Sequence, residues 1–144
     1  MSDTYTELRQ LVERYADAVC RRDAEDWGAT WAPDGVWDLG AAKAEGREKI
    51  VQLWKGAMGS FTMALQIIHQ GVVLEDRGET AKARWYLSEY LTTADGGRRL
   101  GVGVYHDSYR KVDGRWCFAH RKYNLLYSGA PDLSGDAIPF PADA

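Results

Sequence analysis

Apolar positions Leu8, Leu11, Val12, Tyr15 and Val19 recur at three- and four-residue steps, the repeat of one helix face. The spacing predicts an amphipathic helix ending near Arg22, with Thr4 and Glu7 in capping-box positions at its start. Asp23 then predicts a cap for a short second helix running through Trp27 to Trp31, followed by a turn at Pro33-Asp34-Gly35 and a short strand from Val36 to Leu39. After Gly46, Ile50, Val51, Trp54 and Met58 mark one face of a third helix. Beyond Gly59 the repeat becomes extended and predicts four strands: Phe61 to Glu75, Thr80 to Thr93, Arg99 to Val112 and Arg115 to Tyr127. Arg77-Gly78, Asp95-Gly96-Gly97 and Asp113-Gly114 are short glycine-containing breaks, so successive strands should pair as antiparallel hairpins. Helices first and a hairpin-linked sheet afterwards make an α+β pattern, with the helices on one face of the sheet. From Ser128 to Ala144 the chain carries Pro131, Pro139 and Pro141 and reads as an irregular arm, whose Ile138 and Phe140 are expected at a pocket mouth or on a neighbouring subunit.

The 144 residues suit one domain, 1–144, a length that buries about two-thirds of the unfolded surface and leaves room for a pocket beside a core. No apolar run approaches the ~20 residues needed to cross a bilayer, so no membrane partner is expected. A net charge of -3 without a basic cluster argues against nucleic acid; Arg21-Arg22 and Arg98-Arg99 read as a helix end and a hairpin tip. The N-terminus lacks the pattern of a secretory signal, which makes the cytoplasm the expected compartment, and Cys20 and Cys117 suit it as free thiols. Six Trp and eight Tyr are many for this length and suit a heavy core or a pocket for a flat apolar ligand. His69, His106 and His120 show no ligand spacing, so no metal is expected. Gly101 and Gly103 lie inside a strand with no helix start after them, which excludes a phosphate loop.

Four segments carry a family resemblance: Tyr15-Ala-Asp-Ala-Val-Cys-Arg-Arg-Asp23, Trp31-Ala-Pro-Asp-Gly-Val-Trp37, Ala83-Arg-Trp-Tyr-Leu-Ser-Glu89, and the run from Tyr105 through His106-Asp107-Ser108-Tyr109 to Phe118. With these the chain resembles the SnoaL-like, nuclear-transport-factor-like superfamily, in the branch of scytalone dehydratase, bile acid 7α-dehydratase and hexachlorocyclohexane dehydrochlorinase. The resemblance implies a cone-shaped barrel of cystatin-like topology, its N-terminal helices packed in a curved antiparallel sheet around a deep pocket. It also implies elimination from small alicyclic substrates without metal or organic cofactor, and homo-oligomers, trimers or dimers, formed through the outer sheet face. The acid/base His of that branch falls on Gln66 and its Asp on Cys20, and neither residue is kept. Gln cannot take a proton at neutral pH, so the usual dyad is missing. Tyr15 matches a tyrosine of the bile acid dehydratase, Glu89 its catalytic Asp, and Arg121 an arginine tied to the departing anion in the dehydrochlorinase.

Period-two alternation puts Glu89 on one face with Trp85, Leu87 and Leu91, where a carboxylate would be desolvated and its pKa raised; an ion pair with Arg121 or Arg84 is the alternative. Strict alternation sends His69 to the outer face, but a bulge at Gln70-Gly71 would turn it inward, where imidazole is a natural acid/base. The candidates are therefore Glu89, His69 and Tyr15 for the chemistry, and Gln66, Arg121, Cys20, Trp27, Trp31, Trp85, Tyr105 and Phe118 for the ligand. Asp107 is expected to pair with Arg121 or Arg110. Together they describe a cofactor-independent lyase or isomerase that abstracts a proton from a small cyclic hydrophobic substrate, such as a steroid, terpenoid or polyketide-like ring. The alternative is a binding or accessory protein that keeps the cone and has lost the dyad.

Overall fold

The structure, a computed structural model, describes residues 3–142. Helix α1 spans Thr4–Arg21, but its cap is Asp3, whose side chain accepts from the Thr6 backbone N–H at 2.8 Å. Asp is the stronger capping residue and displaces Thr4 from the role the spacing assigned it. The helix ends where Arg22 turns left-handed, and Asp23 caps α2 (Ala24–Ala29) through the Asp26 N–H. Here the second helix stops short of its expected end. Thr30 bonds back to the Trp27 carbonyl through its hydroxyl and accepts from Phe118 N–H at 2.9 Å, so Trp31 enters β1 (Trp31–Asp38) instead. A three-residue strand, β2 (Lys43–Glu45), follows and is too short to show a period. Then come α3 (Arg47–Met58), β3 (Phe61–Asp76), β4 (Thr80–Thr93), β5 (Arg98–Val112), β6 (Arg115–Gly129) and the two-residue β7 (Asp136–Ala137).

The strands form one sheet in the order β2-β1-β6-β5-β4-β3, with β7 on β6. The hairpin glycines set β3 to β6 antiparallel, but β1 runs parallel to β6. The curved sheet is thus mixed and open, not wholly antiparallel: β1 arrives from a helix, and no hairpin dictates its direction.

The helices cover the inner face, where Trp27, Trp31, Trp85 and Phe118 are fully buried and Trp54 of α3 stacks on Trp27 at 4.7 Å. A bulge between Ile68 and Gly71 brings Gly71 opposite Trp85, and a Cβ on Gly71 would lie 2.1 Å from the indole. Only glycine lets that ring lie over β3. On the outer face, β3 exposes Met63, Leu65, Ile67, Val72 and Leu74 beside Tyr90 of β4. The C-terminal arm also lies outside: Phe140 packs 5.5 Å from the Arg84 guanidinium and 5.8 Å from the His106 ring, away from the pocket mouth, the first of the two places expected for it. Among the described residues, no helix is long and apolar enough to cross a membrane.

Candidate functional site

Between α1, α3 and the inner face of the sheet lies a cavity of about 140 Å³. Its apolar walls are Val19 of α1, Trp37 of β1, Trp54 and Met58 of α3, and Phe61, Ala64 and Leu91 of the sheet; its polar end holds Tyr15, Gln66, Glu89, Tyr105 and Tyr123. The register builds that end. Gln66 of β3 stands opposite Glu89 of β4, and Tyr105 of β5 stands opposite Tyr123 of β6.

Glu89 is half-buried, and both its oxygens are engaged: Oε2 accepts from Gln66 Nε2 and Oε1 from the Tyr123 hydroxyl, each at 3.1 Å. Both partners are neutral. Burial pushes the carboxyl pKa up, against these two hydrogen bonds and the charge of Arg99. Gln66 Nε2 also donates to the Tyr105 hydroxyl at 3.2 Å, and the Tyr105 hydroxyl in turn meets that of Tyr15. Burial raises Tyr15, Tyr105 and Tyr123 above the ordinary phenol value, so all three are donors at neutral pH. Tyr123 escaped the sequence reading. Its trace was Gly103: a Cβ there would sit 2.4 Å from the Tyr123 hydroxyl, so the bare backbone lets the phenol lie across β5 and reach Glu89.

A second polar cluster lies on the same sheet face. Arg121 donates to Asp107 through Nε (2.8 Å) and Nη2 (2.9 Å), the Tyr109 hydroxyl donates to Asp107, and Trp85 Nε1 donates to Tyr109 at 2.8 Å. Arg121 is fully buried, with its guanidinium 3.5 Å from the Tyr105 ring, 4.1 Å from Phe118 and 4.4 Å from Tyr15. Burial works against its charge, but Asp107 more than restores it and the pKa rises. Arg121 is not among the residues that line the cavity, but its guanidinium lies against Tyr15, which does, and its Nη1 is buried without a hydrogen-bond partner.

Of the other expected site residues, Tyr15, Gln66, Glu89 and Tyr105 line the cavity; Trp27, Trp31 and Phe118 do not and are held ring against ring, and Trp85 lies apart from them over Gly71. Cys20 meets Gln66 only at the backbone, its sulfur 3.4 Å from the Gln66 nitrogen. The two positions of the missing dyad are thus neighbours, but the thiol does not line the cavity. His69 is exposed on the outer face, hydrogen-bonded to Ser88 Oγ at 2.6 Å. The bulge does exist, but it spans the interval between Ile68 and Gly71 with His69 inside it, and the imidazole stays on the outer face. Among the described residues, no three His, Cys, Asp or Glu side chains are grouped to hold a metal. A larger groove of about 450 Å³ lies between α1, α2 and the β5–β6 turn. Its rim is charged, with Arg21 already paired with Asp17 and Asp26, and its floor is formed by the buried Leu11, Thr30, Trp116 and Cys117.

The model of a family described as a SnoaL-like domain matches residues 1–122. Among solved structures, a hexachlorocyclohexane dehydrochlorinase from Novosphingobium barchaimii is similar at a TM-score of 0.81, with 16% identity over 96% of this chain and 95% of that one. A candidate scytalone dehydratase from Novosphingobium aromaticivorans gives 0.81, with 17% identity over 92% and 89%. A protein of unknown function with a cystatin-like fold from Nostoc punctiforme gives 0.73, with 21% identity over 90% and 93%. At these identities the likeness is one of fold.

Proposed function

The chain belongs to the SnoaL-like domain family, and on that premise we propose that it is a cofactor-independent lyase or isomerase in which Glu89 takes a proton from a small cyclic, largely apolar substrate. The observation that carries this reading is a single carboxylate at the polar end of an apolar cavity, bonded only to neutral donors and raised in pKa. In the first step a C–H bond next to a carbonyl breaks, its proton passes to Glu89, and its electron pair moves toward the carbonyl oxygen, to which the paired hydroxyls of Tyr105 and Tyr15 donate. The enolate then takes the proton back at another carbon, an isomerisation, or expels a neighbouring leaving group, an elimination. Gln66 and Tyr123 hold the carboxylate in place, and Tyr15 completes the polar end. The proposal includes self-association through the apolar outer face of β3, a surface suited to a second copy.

The test is exchange of acidic substrate protons in deuterated water. Wild type should accelerate exchange and Glu89→Gln should abolish the acceleration; equal exchange by both sinks the proposal. A second reading, a binding protein without chemistry, draws on Gln66 and Cys20 standing where the resemblance expects His and Asp. It predicts ligand binding with no exchange in either protein.

A further inference from the structure

We infer that the substrate of this site is an uncharged molecule of one ring carrying a carbonyl, smaller than the fused-ring skeletons a SnoaL-like pocket brings to mind; the inference rests on the proton-abstraction reading above. Size is the first argument. A cavity of about 140 Å³ is close to the ~150 Å³ that admits one benzene, and well below the ~300–1,000 Å³ typical of sites for larger ligands. Its deep walls cannot retreat. Trp54 is stacked on Trp27, Trp37 meets Trp27 edge-on at 5.2 Å, and Tyr15 is wedged against Trp27 and Phe118 at 5.2 and 5.3 Å, so enlarging the space would break a close-packed aromatic cluster. Met58 and Phe61 make none of these ring contacts and are the residues whose bulk sets the limit.

Charge is the second argument. No Lys, Arg or His lines the cavity, and the buried guanidinium behind it, Arg121, is paired with Asp107 through Nε and Nη2. An anionic substrate would lie beside the Glu89 carboxylate with no cation in the cavity wall to offset the repulsion and only the charge of Arg99 outside it, while a cationic one would pair with Glu89 and quench it as a base. Polarity is the third. All hydroxyls and the carboxylate gather at one end and the opposite walls are apolar, so a ring with one oxygen at its edge matches both.

Saturation-transfer NMR on the full chain with cyclohexanone, 2-decalone, a steroid ketone and cyclohexanecarboxylate tests this. Cyclohexanone should bind, and each of the other three at least tenfold more weakly. Phe61→Ala, or Met58→Ala if the first variant fails to fold, should bring 2-decalone level with cyclohexanone. A fused ring or the carboxylate binding wild type as tightly as cyclohexanone, or no binding of cyclohexanone at all, overturns the inference. Deuterium exchange separates it from the reading beneath it. Cyclohexanone bound without exchange leaves the ring size standing and overturns proton abstraction, whereas equal exchange from 2-decalone keeps the chemistry and overturns the size limit.

Discussion

Two carboxylates, Asp107 buried and Glu89 half-buried, face the same side of the sheet, and what meets them differs. Asp107 is met by a full positive charge at two points and by a phenol, whereas Glu89 is met only by an amide and a phenol. In the first cluster charge answers charge, and neither Asp107 nor Arg121 lines the cavity. The second is left short of a cation and beside an empty volume, so its carboxyl holds its proton more tightly than an ordinary Glu. Neutralised charge builds the fold, and charge left unanswered in a hollow is available for chemistry. Tyr105 separates them, its ring against Arg121 and its hydroxyl against Gln66.

The comparison can be attacked most forcefully at Asp107. Asp107→Ala strands a buried guanidinium and should cost about 3–5 kcal/mol of unfolding free energy; a loss below ~1 kcal/mol in denaturant titration would mean the cluster is not structural. Glu89→Gln should do the reverse, leaving the fold intact while lowering turnover by roughly 10²–10⁴-fold. Gly103→Ala should push Tyr123 off Glu89, at about 1–3 kcal/mol for overpacking and with a smaller loss of turnover. Gly101→Ala, whose added Cβ meets nothing closer than 3.9 Å, is the matched control and should be nearly silent.

The pH response sharpens the contrast further. With its folded pKa above the ordinary 4.5, Glu89 keeps a proton in the folded chain that the unfolded chain has released. Its contribution to stability therefore falls as pH rises from 4.5 through the raised pKa, and is flat beyond it. Unfolding measured against pH should show wild type losing ground to Glu89→Gln across that window, while activity grows as the proton leaves. A wild-type curve parallel to that of the variant would put Glu89 in the same class as Asp107. The smallest effect is expected at His69→Ala, which should change stability by no more than about 0.5 kcal/mol and leave turnover unchanged.

Much of the frame was legible because it depends on local repeats. The stripe from Leu8 to Val19 and the glycine breaks after β3, β4 and β5 name their elements without help from the rest of the chain. Alternation likewise put Glu89 inward, because no irregularity intervenes between it and Trp85 on β4. What could not be read depends on meetings between distant segments. Trp31 carries no sign that Thr30 will hand the chain to β6, and the aromatic residues look alike until packing divides them into solid core and cavity wall. Arg121 had two carboxylates within its possible reach, and a bidentate fit to Asp107 decided between them. Gly103 was visible as an interruption in a strand, but the ring that fills its missing side chain comes from β6.

The arm has a geometric consequence for assembly. By laying Phe140 against Arg84 and His106, and by tying Ile138 N–H to the Leu126 carbonyl at 2.7 Å, it occupies the middle of the sheet's back. A second copy approaching that side meets an occupied centre and a vacant greasy flank along β3. If copies associate as proposed, shortening the chain before Pro139 would widen the landing area, and the arm would be a spacer that confines their contact to one margin of the molecule.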